Sequence, residues 1–139
     1  MSREIKFRAW DNVHNRMIYF KDLVVFGYSN GFDIYELYFE ENNLRCRGYD
    51  EFDDDFGVEI VDETELPIMQ YTGLKDKNGV DVYEGDKVKA KFYGKEVIGE
   101  IGFNSGCFLL FNSCVSDNQL FIFTDIEVIG NIYENEVSK

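Results

Sequence analysis

Apolar and polar residues alternate in short runs along this chain, and no run keeps a helical period for long. Ile5, Phe7 and Ala9 alternate with Lys6, Arg8 and Trp10. A polar loop of Asp11, Asn12, His14 and Asn15 then leads to Met17-Ile18-Tyr19-Phe20, which predicts a β-hairpin. Lys21 to Phe26 is short and apolar and reads as a strand or a helical turn before Gly27 and Ser29-Asn30-Gly31 interrupt it. Phe32, Ile34 and Leu37-Tyr38-Phe39, a turn at Asn42-Asn43 and then Leu44-Arg45-Cys46-Arg47 predict a second hairpin. Phe52-Asp53-Asp54-Asp55-Phe56-Gly57 reads as a solvated acidic loop pinned by its two aromatics, after which Val58, Ile60 and Val61 resume an extended pattern. Pro67 biases Leu66 towards extended geometry and marks a hinge.

Beyond the hinge the turn signals are denser. Asn78-Gly79 is a strong sign of a type I′ turn, which would set Tyr71 to Lys75 antiparallel to Val80 to Tyr83. Glu84-Gly85-Asp86 makes another turn, and Lys87 to Phe92 alternates polar with apolar, as a strand with one wet and one dry face does. Turns at Gly94 and at Asn104-Ser105-Gly106 separate Val97-Ile98 and Ile101 from the apolar run Cys107 to Phe111. A polar loop from Asn112 to Asn118 follows, and Leu120 to Phe123 and Val128 to Tyr133 read as the last strands. Short strands at this spacing are the pattern of a small barrel or sandwich.

Gln70 through Gly79, followed by Tyr83-Glu84-Gly85-Asp86-Lys87-Val88, resembles the hallmark of the YopX family, small proteins encoded by bacteriophages and prophages. Ile5 to Asp11, with Met17-Ile18 after it, resembles the family's opening, and Glu127 to Asn135 its closing strand. The blocks are in order and span nearly the whole chain. The resemblance implies a phage or prophage accessory protein and carries no established activity with it. The expected fold is mainly β, with a β-rich α+β arrangement as the alternative. Residues 1–66 form a hairpin-rich acidic region, and residues 67–139 a small barrel resembling the SH3-like kind.

Composition narrows the chemistry. The chain has 139 residues, one proline and 17% aromatics, enough apolar area for a packed core. No window approaches a membrane span, and charges occupy the N-terminus where a signal peptide needs apolar residues, so a soluble, cytoplasmic protein is expected. Three cysteines, Cys46, Cys107 and Cys114, argue against a disulfide framework. Most of the net charge of −13 comes from Asp33 to Leu66, so direct binding to nucleic acid is not expected. His14 is the only histidine and reads as a solvated loop residue; the cysteines lack zinc-site spacing and a histidine neighbour. No catalytic, cofactor-binding or metal residue is therefore assigned.

Two surfaces remain as candidates. Tyr71, Lys75, Lys77 and Tyr83 would either present an interaction surface or simply shape the turn. Asp50, Glu51, Asp53, Asp54 and Asp55 form an acidic surface whose spacing fits no EF-hand. The expected function is non-enzymatic contact with protein, as a homo-oligomer or with a host protein. A DNA mimic that occupies a host protein's basic groove is the first alternative, and an enzyme of unrecognised type the second.

Overall fold

The computed structural model describes residues 5–27, 30–104, 106–112 and 118–134, with backbone only for Asn118, Gln119 and Phe121. It is almost entirely antiparallel sheet, so the mainly-β expectation holds. The chain divides into two compact units, one of Lys6–Ile68 and one that begins at Met69 and also takes in Ile5.

In the first unit, β1 (Phe7–Asp11) and β2 (Arg16–Phe20) form the predicted hairpin, with Ala9 opposite Ile18 and both fully buried. Asn15 closes the turn in the left-handed region, which asparagine tolerates better than most residues. A meander of β3 (Val24–Phe26), β4 (Ile34–Glu40), β5 (Asn43–Asp54) and β6 (Gly57–Leu66) follows, in the order β3-β4-β5-β6. The turn between β4 and β5 lies at Glu41-Asn42, both with positive φ, one residue earlier than the Asn42-Asn43 of the sequence reading. Ala9, Ile18, Phe20, Phe32, Tyr35, Leu37, Cys46 and Leu66 make the core. Phe32 lies flat enough on β5 that a Cβ at Gly48 would sit 2.3 Å from its ring, so this strand needs glycine for the close approach.

In the second unit, β7 (Ile68–Lys75), whose first residue still belongs to the first unit, pairs with β8 (Asp81–Tyr83). A five-stranded sheet follows in the order β12-β11-β10-β9-β13. Its strands are β9 (Asp86–Phe92), β10 (Lys95–Asn104), β11 (Cys107–Phe111), β12 (Asn118–Gln119) and β13 (Thr124–Asn131). The order is compatible with the small barrel expected. Val88 and Ala90 point inward from β9 while Lys87, Lys89 and Lys91 point outward, as the alternation required. Leu120 to Phe123, expected as a strand, is instead a single 3-10 turn at Leu120–Ile122, closed by the Phe123 N–H donating to the Leu120 carbonyl. Leu120 and Phe123 both drop into the core beside Val82, Val88, Val97, Ile101 and Leu110; a turn brings these two side chains, three apart, to one side, which a strand would not. Cys114 and most of the Asn112 to Asn118 loop lie outside the described residues.

Candidate functional site

The central stretch forms its hairpin with Tyr71 opposite Tyr83 and Lys75 opposite Asp81. The turn is not the type I′ that Asn78-Gly79 suggested, because only Gly79 has positive φ. Asp76 organises it instead. Its carboxylate accepts the N–H groups of Asn78 and Val80 through Oδ1, and that of Val128 on β13 through Oδ2. The Lys77 N–H donates to the Ile126 carbonyl beside it. A four-residue loop led by an aspartate thus anchors the hairpin to the far end of the chain. Burial works to raise the Asp76 carboxyl, but the three N–H donors outweigh it and hold the group below the usual carboxylate range.

The four residues proposed as an interaction surface separate. Tyr71 and Tyr83 are buried, with ring centroids 5.5 Å apart, because β7 and β8 turn this face inward. Lys75 and Lys77 are exposed and pair with Asp81 and Glu127. They border an open groove of about 360 Å³ whose floor is Leu120, Phe123 and Ile126.

His14 is exposed in its turn, as expected, but it has partners. Its Nδ1 lies 2.8 Å from Asp11 Oδ2, and its ring meets Phe32 edge-on with centroids 4.8 Å apart. Asp11 is fully buried and also accepts the backbone N–H groups of Val13 and His14 and the hydroxyl of Tyr35. The Tyr35 hydroxyl in turn accepts the Phe32 N–H. Burial tends to raise the Asp11 carboxyl, but the Tyr35 and His14 bonds prevail and keep it low; burial and the Asp11 bond drive the Tyr35 phenol far up. Cys46, buried close by, has its thiol pushed up to about 12 by burial and then by the Asp11 charge. The sequence signal for this node was present in Asp11-Asn12-Val13-His14, an aspartate at the head of a polar turn, but nothing in it pointed to Tyr35 on another hairpin.

The acidic segment departs most from expectation. Phe52 to Gly57 is not a loop: β5 runs on to Asp54, β6 starts at Gly57, and only Asp55 and Phe56 turn the chain. Nor do the aromatics pin it, since Phe56 is 98% exposed and Phe52 53%. The tip is held by the Asp54 carboxylate, which accepts the Phe56 N–H. At the base Asp50 accepts the Asp33 N–H and Asp33 accepts the Glu51 N–H, so Asp50 is spent on the junction while Glu51, Asp53, Asp54 and Asp55 stand in solvent. From Glu51 to Ile60 every residue of both strands is exposed, so this stretch is a two-stranded arm. Four cross-strand pairs along it each join a carboxylate to an apolar side chain: Asp50 with Val61, Glu51 with Ile60, Phe52 with Glu59 and Asp53 with Val58. No group of three or more metal-ligating side chains occurs among the described residues, nor any helix long and apolar enough to cross a membrane.

A family model described as YopX protein matches residues 6–137. The chain belongs to the YopX family. Among solved structures, protein EF1440 from Enterococcus faecalis is similar at 28% identity, with 97% of each chain covered and a TM-score of 0.56. Protein yopX from Bacillus subtilis is similar in fold at 22% identity, with 94% of each chain covered and a TM-score of 0.55. A search of the curated proteins finds no match.

In this YopX chain the hallmark stretch owes its turn to Asp76. Asp76→Ala is expected to cost about 2–3 kcal/mol at pH 7, since three N–H groups lose one ionised acceptor. The folded-state pKa lies below the unfolded value, so this stability is present above about pH 4 and fades as pH falls through the folded pKa. Urea titrations of both proteins from pH 7 to pH 3 should show the gap between them closing on the acid side. A gap that stays constant would remove the ionised carboxylate from the account.

Proposed function

We propose that this chain is a non-enzymatic accessory protein of a phage or prophage, acting in the cytoplasm of the host through protein contacts, with the β5–β6 arm as its contact element. The observation that carries this reading is the arm's apolar complement. Phe52, Phe56, Val58 and Ile60 are 53%, 98%, 59% and 46% exposed on a ribbon that, among the described residues, adds no side chain to either core. A two-stranded ribbon alone in water is marginal, and exposed apolar side chains on it are a liability unless another surface covers them. The partner is a protein, either a second copy or a host protein. The Cys46 thiol, held protonated at neutral pH, is no nucleophile, and the Asp11 carboxylate already accepts four hydrogen bonds, which supports the non-enzymatic side of the reading.

The arm's carboxylates favour the DNA-mimic reading as a second one. It accounts for Glu51, Asp53, Asp54 and Asp55 but leaves the four apolar side chains without a role, since phosphate imitation needs none.

Replacing Phe52, Val58 and Ile60 with Thr and Phe56 with Ser keeps the strand propensity of the arm and removes its apolar surface. Thermal stability should move little, because none of the four lies in a core. Proteins retained from host lysate by the native chain, its own copies included, should be lost by the variant. Retention of the same set by both would end the reading.

A further inference from the structure

Resting on the arm as the contact element, we infer that its occupant is an extended protein segment in which Lys or Arg alternates with apolar residues, added as a new strand to the outer edge of β6. β6 closes its sheet, so one side of its backbone faces no strand among the described residues. The opposite edge of the arm is treated differently. There Asp33 takes up the Glu51 N–H and gives its own N–H to the Asp50 carboxylate, so the uncapped edge of β5 is only Phe52 to Asp54, shorter than that of β6. Unprotected edges accept strands from other chains, and extended peptides bind sheets in this way.

The side chains specify what such a strand would carry. Val58 and Ile60 lie on one face of β6 and Glu59 on the other, so a neighbour needs apolar residues and cations in alternation. Electrostatics select the same chemistry. Six carboxylates stand between Gly48 and Val61 and no Lys or Arg does, while Arg45 and Arg47 below the arm are engaged by Glu65, Glu36 and Glu63. A second copy, with net charge −13, would meet this arm with like charge, whereas a basic segment is drawn to it. The added strand is short. Asp62 has positive φ and breaks the regular backbone, so the usable edge is Gly57 to Val61.

A seven-residue peptide of alternating Lys and Val tests this, titrated calorimetrically into the full chain at low salt, with a Glu–Val peptide as control. Two further versions carry N-methyl groups, one on every Lys and one on every Val. In an added strand only alternate N–H groups face the host, so one methylated version should bind at least tenfold more weakly and the other within about twofold of the parent. The amide signals of Val58 to Val61 should shift with the parent peptide. Equal binding by both methylated versions, or shifts spread over other acidic surfaces, would overturn strand addition. Binding of the Glu–Val peptide, or of neither peptide, would overturn the basic occupant while leaving the lysate comparison to judge the arm itself.

Discussion

Asp11→Ala is expected to cost about 3–4 kcal/mol, read as a lower urea midpoint with an unchanged slope, because one buried carboxylate is the acceptor for four donors. Alanine leaves the Tyr35 hydroxyl buried without its acceptor, while the Val13 and His14 N–H groups lose theirs nearer the surface. Asn at the same position keeps one acceptor and the shape, so its cost should be about half. Tyr35→Phe removes a donor to Asp11 and the acceptor of the Phe32 N–H together. If the node acts as one unit, the double variant Asp11→Asn with Tyr35→Phe should cost less than the sum of the single changes. Strict additivity would mean that the bonds act independently. The pH dependence has a definite sign: the folded-state pKa of Asp11 is depressed, so the contribution is complete above about pH 4 and is lost as pH falls through the folded pKa.

What the sequence made legible, and what it hid, follows the range over which the physics acts. Local alternation placed β1 and β2, β4 and the first part of β5, and β9 correctly, because a strand with one dry face writes a two-residue period into its own residues. Turns chosen by side chains were harder. Asn78-Gly79 has the dihedral preferences of a type I′ turn, yet Asp76 offers three N–H groups a charged acceptor and the loop forms around it; two-residue turns with positive φ at both positions occur instead at Glu41-Asn42 and Tyr93-Gly94. Only the β6 half of the arm, Val58 to Val61, was readable as extended; the β5 half was not, for the converse reason. Its apolar residues alternate as strand residues do, but a run of carboxylates is the ordinary mark of a solvated loop, and only the β5–β6 register shows acid set against apolar. His14 lies exposed in its turn as expected, but its partners Asp11 and Phe32 could not be read locally, and the β7–β8 pairing decides that Tyr71 shapes the hairpin from inside.

Gly99→Ala should cost about 2–3 kcal/mol although it adds one methyl group and creates no strained backbone angle. A Cβ there would sit 2.4 Å from a methyl of Leu110 and 2.6 Å from the Phe111 carbonyl oxygen. Leu110 is fully buried in the second core, and the carbonyl belongs to β11, which is paired with β10 along its length, so neither can withdraw without shifting strands. Gly102, three residues along the same strand, makes the control. Its added Cβ would lie even closer to a neighbour, 2.2 Å, but its three nearest atoms all belong to the ring of Phe111, a half-buried side chain and not backbone. Gly102→Ala is therefore expected to cost less than about 1 kcal/mol, partly offset by the lower entropy of the unfolded chain. Urea denaturation of the two variants decides between distance and yielding: if Gly102 proves the more costly site, the bare distance governs and the rigidity assigned to β10 and β11 is wrong.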